Sequence, residues 1–372
     1  MTTIAILGAA AVQDDAVRVA RSFGWTVHVL AAAANGPAAQ SADVFAPIDF
    51  SNVEDVKSYV REHGVDAVYS TGSDFAIPVS AQVSEDLEMP RFVTPQTAST
   101  CNQKSLMRRT LADMPGNVKA QEVKTAVGTT WDGPWPVIVK PADAQGQRGV
   151  ARVNSPDGLV AAIEAALPHS RTQTAIIEEF IEGTEVSVNG YMVDGRLVFV
   201  AVSDRETWPE YVGLIAAHVA PGTAADDATR ERVSELMQDA SRRLGIENGP
   251  VYAQVMIRDG MPHIIEITPR LDGCHMWKVL RESAGVDLME WTLRHLVEGS
   301  APEVAGGMLN PPLAPVQLRF HCQEPGTEYD SGRHPSPKTS IERCQYYTDG
   351  DTVRPINGRF EKVGYDICRE DA

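Results

Sequence analysis

The sequence is short of several things, and each shortage narrows the reading. Positive charge is scarce: 33 Lys and Arg stand against 50 Asp and Glu in 372 residues, for a net charge of −17. General binders of nucleic acid or of anionic membranes need a basic footprint, so neither partner is expected. A local basic pocket for a small anion is compatible with that balance. Long apolar runs are missing too, and none reaches membrane-spanning length. The first residues, MTTIAIL, carry no basic leader and do not read as a signal peptide. Cysteine is sparse and odd in number. Cys101, Cys274, Cys322, Cys344 and Cys368 are scattered without metal-site spacing and read as reduced thiols of a cytoplasmic protein. Cys274 alone stands near the candidate site, where packing is its expected role.

Two phosphate-binding signatures are also lacking. Gly8-Ala9-Ala10-Ala11 has one glycine where a dinucleotide fingerprint needs three, so a nicotinamide or flavin site is not expected there. The loop Ala144-Gln145-Gly146-Gln147-Arg148-Gly149-Val150 leads back into a strand rather than a helix, so it is not a Walker A loop. There is no internal repeat, and the only low-complexity tract is the alanine run at 31–34.

What is present is ordinary globular material, 43% hydrophobic and 22% charged, in a chain long enough for two or three domains. Up to about residue 95, strand and helix patterns alternate. Strands are expected at Ile4–Leu7, Thr26–Leu30 and Ala67–Tyr69, and helices at 14–23, 53–62 and 76–87. That alternation predicts an α/β domain with a small parallel sheet covered on both faces. Thr71-Gly72-Ser73-Asp74 follows the third strand, at the end of the sheet where α/β ligand sites collect. Ser73 and Asp74 are therefore candidate substrate contacts, in competition with a helix-capping role.

Beyond the boundary at Thr94-Pro95, Cys101–Leu111 reads as one helix carrying Lys104, Arg108 and Arg109. Pro136–Pro141 is a buried strand closing on Lys140, a charge costly to bury unless it meets an anion. The glycine-bearing loop after it can cradle phosphate oxygens with backbone N–H groups. Ala175–Ile181 is a strand ending on the acidic pair Glu178-Glu179, followed by Glu185. Val186–Met192 and Leu197–Ser203 flank Asp194-Gly195 as a hairpin, and Asp204–Tyr211 reads as a loop containing Arg205. A core helix is expected over 226–244 and another around 287–298. Past residue 300, strand pieces at Ala314–Phe320 and Gly364–Cys368 bracket an irregular 322–340.

The organising stretch is Val251–Arg270, VYAQVMIRDGMPHIIEITPR. Its two apolar runs flank Asp259-Gly260, and the second presents Glu266, Thr268 and Arg270 on alternate positions. A carboxylate, a hydroxyl and a guanidinium on one face suit a metal-bound phosphate. Gln254 joins that face only if the loop holds an odd number of residues, so a three-residue bulged loop is expected. His275, just beyond, is a candidate substrate contact or proton carrier, in competition with a neutral histidine satisfied by hydrogen bonds.

Taken in order, Lys140, the 144–149 loop, Glu178, Glu185 and the strand Glu266-Ile267-Thr268-Pro269-Arg270 resemble the ATP-grasp superfamily of ATP-dependent carboxylate–amine and carboxylate–thiol ligases. Similarity extends to its carbamoyl-phosphate synthetase and biotin carboxylase members. The resemblance implies a Rossmann-like domain over 1–95, an α+β ATP-grasp domain over 96–300 with a lid near 115–177, and a small β-rich lobe over 301–372. It implies ATP held by Lys104, Lys140, Gly146, Gly149, Glu178, Glu179, Phe180, Ile181 and Glu185, and Mg2+ (or Mn2+) on Gln254 and Glu266. Arg270 and Lys140 would serve the chemistry, with Ser73, Asp74, Arg205 and His275 near the substrates. Family members usually have a carboxylate at the Gln254 position and asparagine at that of Thr268, which implies a weakened second metal site. The implied activity is ligation of a small carboxylate to an amine through an acyl phosphate. A bicarbonate-dependent carboxylase and a nucleotide binder without turnover are the alternatives. A homodimer is common in the superfamily.

Overall fold

The computed structural model describes residues 2–144, 148–302, 309–356 and 360–369. Four parallel strands, β1 (Thr3–Leu7), β2 (Thr26–Leu30), β3 (Val44–Ala46) and β4 (Ala67–Tyr69), form a sheet in the order β3-β2-β1-β4. Both faces are covered, as the alternation predicts. Ile4, Ile6, Val27 and Val29 meet Ala16, Val17 and Ala20 of the Ala11–Ser22 helix. Ala5, Leu7, Leu30 and Val68 meet Val56, Val60, Val79 and Val83 of the Val53–His63 and Ala76–Asp86 helices. The short edge strand β3 has no counterpart in the sequence reading.

Antiparallel strands β5 (Ala120–Val123), β6 (Val137–Pro141), β7 (Ala151–Val153) and β8 (Ala175–Glu179) make a second sheet, β5-β8-β6-β7. The third is an eight-stranded antiparallel sheet, ordered β13-β12-β9-β10-β11-β14-β16-β15. It comprises β9 (Thr184–Val193), β10 (Arg196–Trp208), β11 (Tyr211–Ala220), β12 (Gly249–Arg258), β13 (Met261–Thr268), β14 (Val316–Gln323), β15 (Ser340–Gln345) and β16 (Glu361–Arg369). The strands after residue 301 thus extend the same sheet.

Strand alternation gives this sheet an apolar underside. Val186, Val188, Val200, Val202, Val255 and Ile264 pack on Val233, Met237, Ala240 and Leu244 of the Asp227–Leu244 helix. That helix starts where Asp226 accepts from the Thr229 N–H and stops at Gly245 in left-handed conformation, φ +77°. Each fully buried aliphatic side chain here contributes about 1.5–3 kcal/mol. The opposite face is left to the site.

Two expectations need correction and a third needs an addition. Cys101–Leu111 is two helices, Pro95–Asn102 and Lys104–Thr110, because Gln103 is extended and the Lys104 N–H leaves the helical ladder for the Ala142 carbonyl at 3.0 Å. Asp204–Tyr211 is not an irregular loop, since β10 runs to Trp208 and β11 restarts at Tyr211. The irregular stretch at 322–340 holds, but the strands expected beyond residue 300, Ala314–Phe320 and Gly364–Cys368, are joined by a third, β15, whose pairing with β16 the sequence does not reveal. Among the described residues no helix is long and apolar enough to cross a membrane.

Candidate active site

The β12–β13 hairpin turns on Asp259 and Gly260 alone, both left-handed at φ +52° and +72°, with Arg258 paired to Met261. This corrects the expected three-residue loop. The extra residue sits inside the strand instead: Val255 pairs with Ile264 but Gln254 pairs with Glu266, so Ile265 is a β-bulge. The bulge turns Glu266 back onto the face of Gln254. Continuing across the sheet, Gln254 lies opposite Ser187 and Ser187 opposite Ser203, giving a polar row on the face away from the Asp227–Leu244 helix. Glu266 and Gln254 are both half-buried, and among the described residues neither has a hydrogen-bond or ion-pair partner.

Facing this row is the second sheet. Lys140 on β6 and Glu178 on β8 are diagonal neighbours across the two strands, with Nζ 2.6 Å from Oε2. Arg108, from the Lys104–Thr110 helix, donates to the other Glu178 oxygen at 2.8 Å. All three are buried. Burial alone would raise the Glu178 carboxyl, but Arg108 and Lys140 outweigh it and hold the group down to about 2. Burial lowers Lys140, and the Arg108 and Lys104 charges add to this against the pull of Glu178.

A second buried pair closes the far side. Arg270 forks onto Asp74, Nε to Oδ1 at 2.5 Å and Nη2 to Oδ2 at 2.6 Å, while the Thr268 hydroxyl donates to Oδ1 at 2.8 Å. Burial would raise Asp74, yet Arg270 keeps it below the usual carboxylate range. Gly72, at φ +69°, lets this loop approach the 270–275 segment, since a Cβ there would lie 2.9 Å from the Gly273 Cα. Asp74, Lys104, Lys140, Glu178, Phe180, Glu185, Arg205, Gln254, Glu266 and Arg270 line one cavity of about 470 Å3. Cationic, acidic and backbone groups thus converge on a space suited to a polyanion with a metal.

Residues 133–277 match the ATP-grasp domain family. That segment, which holds Lys140, Glu178, Gln254, Glu266 and Arg270, is an ATP-grasp domain. The chain is 24% identical over 237 residues to dapdiamide A synthase of Enterobacter agglomerans, covering 60% of this chain and 54% of that protein. It is 28% identical over 180 residues to D-alanine–D-alanine ligase of Parabacteroides distasonis, covering 46% and 51%. The chain thus matches little more than half the length of either relative. Its fold superposes on L-amino acid ligase from Bacillus licheniformis with a TM-score of 0.83 at 19% identity, over 100% of this chain and 94% of that one.

Against the ATP-grasp expectation, the structure distributes the remaining residues unevenly. Lys104 lines the cavity and donates to the Ala144 carbonyl at 3.2 Å. Glu179 pairs with Arg258 at 3.1 Å, Phe180 carries the Arg152 guanidinium 4.2 Å above its ring, and Ile181 is buried beside them. Glu185 and Arg205 face each other as an ion pair at 2.6 Å, so Arg205 is a strand residue rather than part of a closing loop. Gly149 is left-handed, φ +70°, outside the cavity lining; Gly146 lies outside the described residues. Ser73 accepts from the Ala76 N–H at 3.2 Å at a helix start. His275 lines a different cavity. Sequence reasoning missed Arg108 as a site residue; its only signal was a basic residue on an otherwise core-facing helix. Glu266 and Gln254, opposite one another and unpartnered among the described residues, offer a hard oxygen donor set that fits Mg2+.

Proposed function

We propose that this chain is an ADP-forming ligase that joins a small-molecule carboxylate to an amine. The observation carrying this reading is the unpartnered Glu266–Gln254 pair, set across one cavity from Lys140 and Arg270. In this reading ATP enters between the second and third sheets, with Lys140 and Lys104 on its phosphates and Glu178 to Ile181 along the base. Residues 1–95, 96–300 and 301–372 serve as acceptor-side domain, ATP-grasp domain and C-terminal lobe. Glu266 and Gln254 would hold Mg2+, which would supply positive charge against the phosphates during transfer.

The chain's own residues do the rest. The substrate carboxylate oxygen attacks the γ-phosphorus, the bond to the β-phosphate oxygen breaks, and ADP leaves with that electron pair. Arg270, fixed in orientation by Asp74, presents its remaining donor edge to the transferring phosphoryl group. Binding both reactants beside one another supplies much of the remaining rate. An amine then displaces phosphate from the acyl phosphate. Thr268, at the position where the superfamily usually has asparagine, is engaged in holding Asp74, which favours a single strong metal position at Glu266.

The test is incubation with Mg-ATP, hydroxylamine and a panel of carboxylates. Hydroxamate appearing with ADP supports the acyl phosphate and identifies the acid. ADP without hydroxamate points to carboxyphosphate chemistry, and no turnover across the panel overturns the ligase reading.

A further inference from the structure

A second cavity of about 610 Å3 lies beside the first. It is lined by the Gly8–Val12 loop, Phe50, Phe320, Tyr346 and Lys362, with Gly273 and His275 at one wall. Arg270 borders the nucleotide cavity and His275 borders this one, so a single short segment divides them. Five residues of chain reach at most about 18 Å, which puts the two chambers within the span of one small substrate pair. The walls are mainly apolar and aromatic. One ammonium group, Lys362 Nζ, stands 3.6 Å over the Phe320 ring and 3.5 Å from Cys274 Sγ.

His275 is held here in an unusual way. Its backbone is left-handed at φ +60°, a conformation that costs a non-glycine residue energy. Both ring nitrogens are engaged: Nδ1 is 2.5 Å from Asp15 Oδ2 and Nε2 is 2.8 Å from the Tyr346 hydroxyl. Asp15 also accepts from Trp277 Nε1 at 3.1 Å and lies 3.2 Å from Lys278 Nζ. The Tyr365 ring packs 4.5 Å from the imidazole. Lys278 is itself neutralised by Glu342, and Asp272 and Cys344 complete the titratable surroundings. Burial would raise the Asp15 carboxyl, but His275 and Lys278 bring it below its ordinary value, so it is an acceptor only. An acceptor at Nδ1 fixes the proton on that nitrogen and leaves the Nε2 lone pair toward Tyr346 and the cavity.

We propose that this chamber takes the α-amino group of an amino acid and that Asp15, His275 and Tyr346 form the chain that removes its proton. The inference rests on the ligase reading above. An ammonium nitrogen has no lone pair and cannot displace phosphate. Its proton passes to the Tyr346 oxygen as the tyrosine hydroxyl proton passes to His275 Nε2, leaving an imidazolium beside the Asp15 carboxylate. The freed nitrogen pair forms the C–N bond, and the acyl C–O bond breaks with its electrons on phosphate. The second nitrogen proton goes to the departing phosphate, and the imidazolium releases its proton to solvent. Tyr346 touches the substrate and His275 accepts the proton, while Asp15 acts as a positioning residue. Lys362 faces the amino acid's carboxylate.

Hydroxylamine separates this step from the rest because it is largely uncharged near neutral pH and needs no base. The full chain is assayed with Mg-ATP and the carboxylate that gives hydroxamate, once with hydroxylamine and once with a mixture of the twenty proteinogenic amino acids. For His275→Gln the loss with amino acids should exceed the loss with hydroxylamine by about 100-fold or more. Tyr346→Phe, which removes only a half-buried hydroxyl, should show the same imbalance should the histidine variant fail to fold. Asp15→Asn should show it too, and Asp15→Glu should recover part of it. Equal losses in both assays overturn the proton-transfer role and leave the ligase reading standing. A wild-type chain that makes hydroxamate but ligates none of the amino acids overturns the amino-acid assignment. A wild-type chain that makes no hydroxamate overturns the ligase reading and this proposal with it.

Discussion

Arg108 donates from Nε to Glu178 at 2.8 Å while its two Nη atoms take the carbonyls of Ile264 and Ile265 at 2.7 and 3.0 Å. One guanidinium therefore joins the strand that carries Glu178 to the bulge that aims Glu266. A fourth bond, to the Asn117 side chain at 3.2 Å, satisfies the remaining Nη1 direction. The positions of Glu178 and Glu266 are coupled through this residue.

Replacing Arg108 by Met tests that coupling. It leaves Glu178 with Lys140 as its only cation and strips both bulge carbonyls of a donor. Losing one member of a buried pair costs about 3–5 kcal/mol. The expected result is that loss in urea denaturation, with a Glu266-dependent activity that falls further than the stability change explains. A variant within 1 kcal/mol of wild type would show that the bulge holds without Arg108.

The same cluster predicts a stability dependence on pH. The Glu178 carboxyl is held at about 2 in the folded chain against an ordinary 4.5. Its folded value is depressed, so the unfolded chain takes up the proton first as pH falls. The stabilisation is fully present above pH 4.5 and is lost as pH drops from there toward 2. Its size is on the order of 3 kcal/mol. Denaturation curves between pH 5 and 2.5 should show a steeper loss for wild type than for Glu178→Gln. Parallel curves would remove Glu178 from the account.

How far the sequence carries is visible at the β12–β13 hairpin. Asp259-Gly260 marks the turn, and the need for Gln254 and Glu266 to share a face marks an odd residue somewhere. Its location could not be read, because nothing in Ile264-Ile265-Glu266 itself favours a bulge. The donor that holds it, Arg108, is 157 residues away from Ile265. Gln103 is similar: the helix breaks there because Lys104 N–H finds the Ala142 carbonyl, a contact made only by the folded chain. Three of the four strands before residue 95 and the helices that cover them were legible because hydrophobic period alone defines them; the three-residue β3 is too short to show one. The surroundings of His275 were not legible, since Asp15 and Tyr346 come from opposite ends of the chain.

Glu266 and Gln254 are expected to respond to substitution in opposite ways. Glu266→Ala removes the only carboxylate of the pair, and phosphate release should fall below detection. Because the side chain is half-buried and unpartnered, the change in stability should stay within about 0.5–1 kcal/mol. Gln254→Glu adds a charged oxygen donor opposite Glu266 and should lower the Mg2+ concentration for half-maximal ADP formation by about tenfold, near 1.4 kcal/mol of added attraction. A folded Glu266→Ala chain with wild-type turnover would sink the metal assignment. An unchanged Mg2+ requirement in Gln254→Glu would remove residue 254 from it.

Arg270 and Asp74 separate orientation from charge. Lysine at 270 keeps a positive charge beside Asp74 but has no planar fork, so it cannot bond both carboxylate oxygens and still face the cavity. Arg270→Lys should therefore lower kcat for hydroxamate formation about 100-fold with KM for ATP changed only a few fold. Asp74→Asn should act first on stability, because it leaves a buried guanidinium without its counter-charge at a cost of about 3–5 kcal/mol. Steady-state kinetics beside urea denaturation distinguishes the two. If Arg270→Lys raises KM and leaves kcat intact, Arg270 binds the ground state uniformly and does not act on the transferring phosphoryl group.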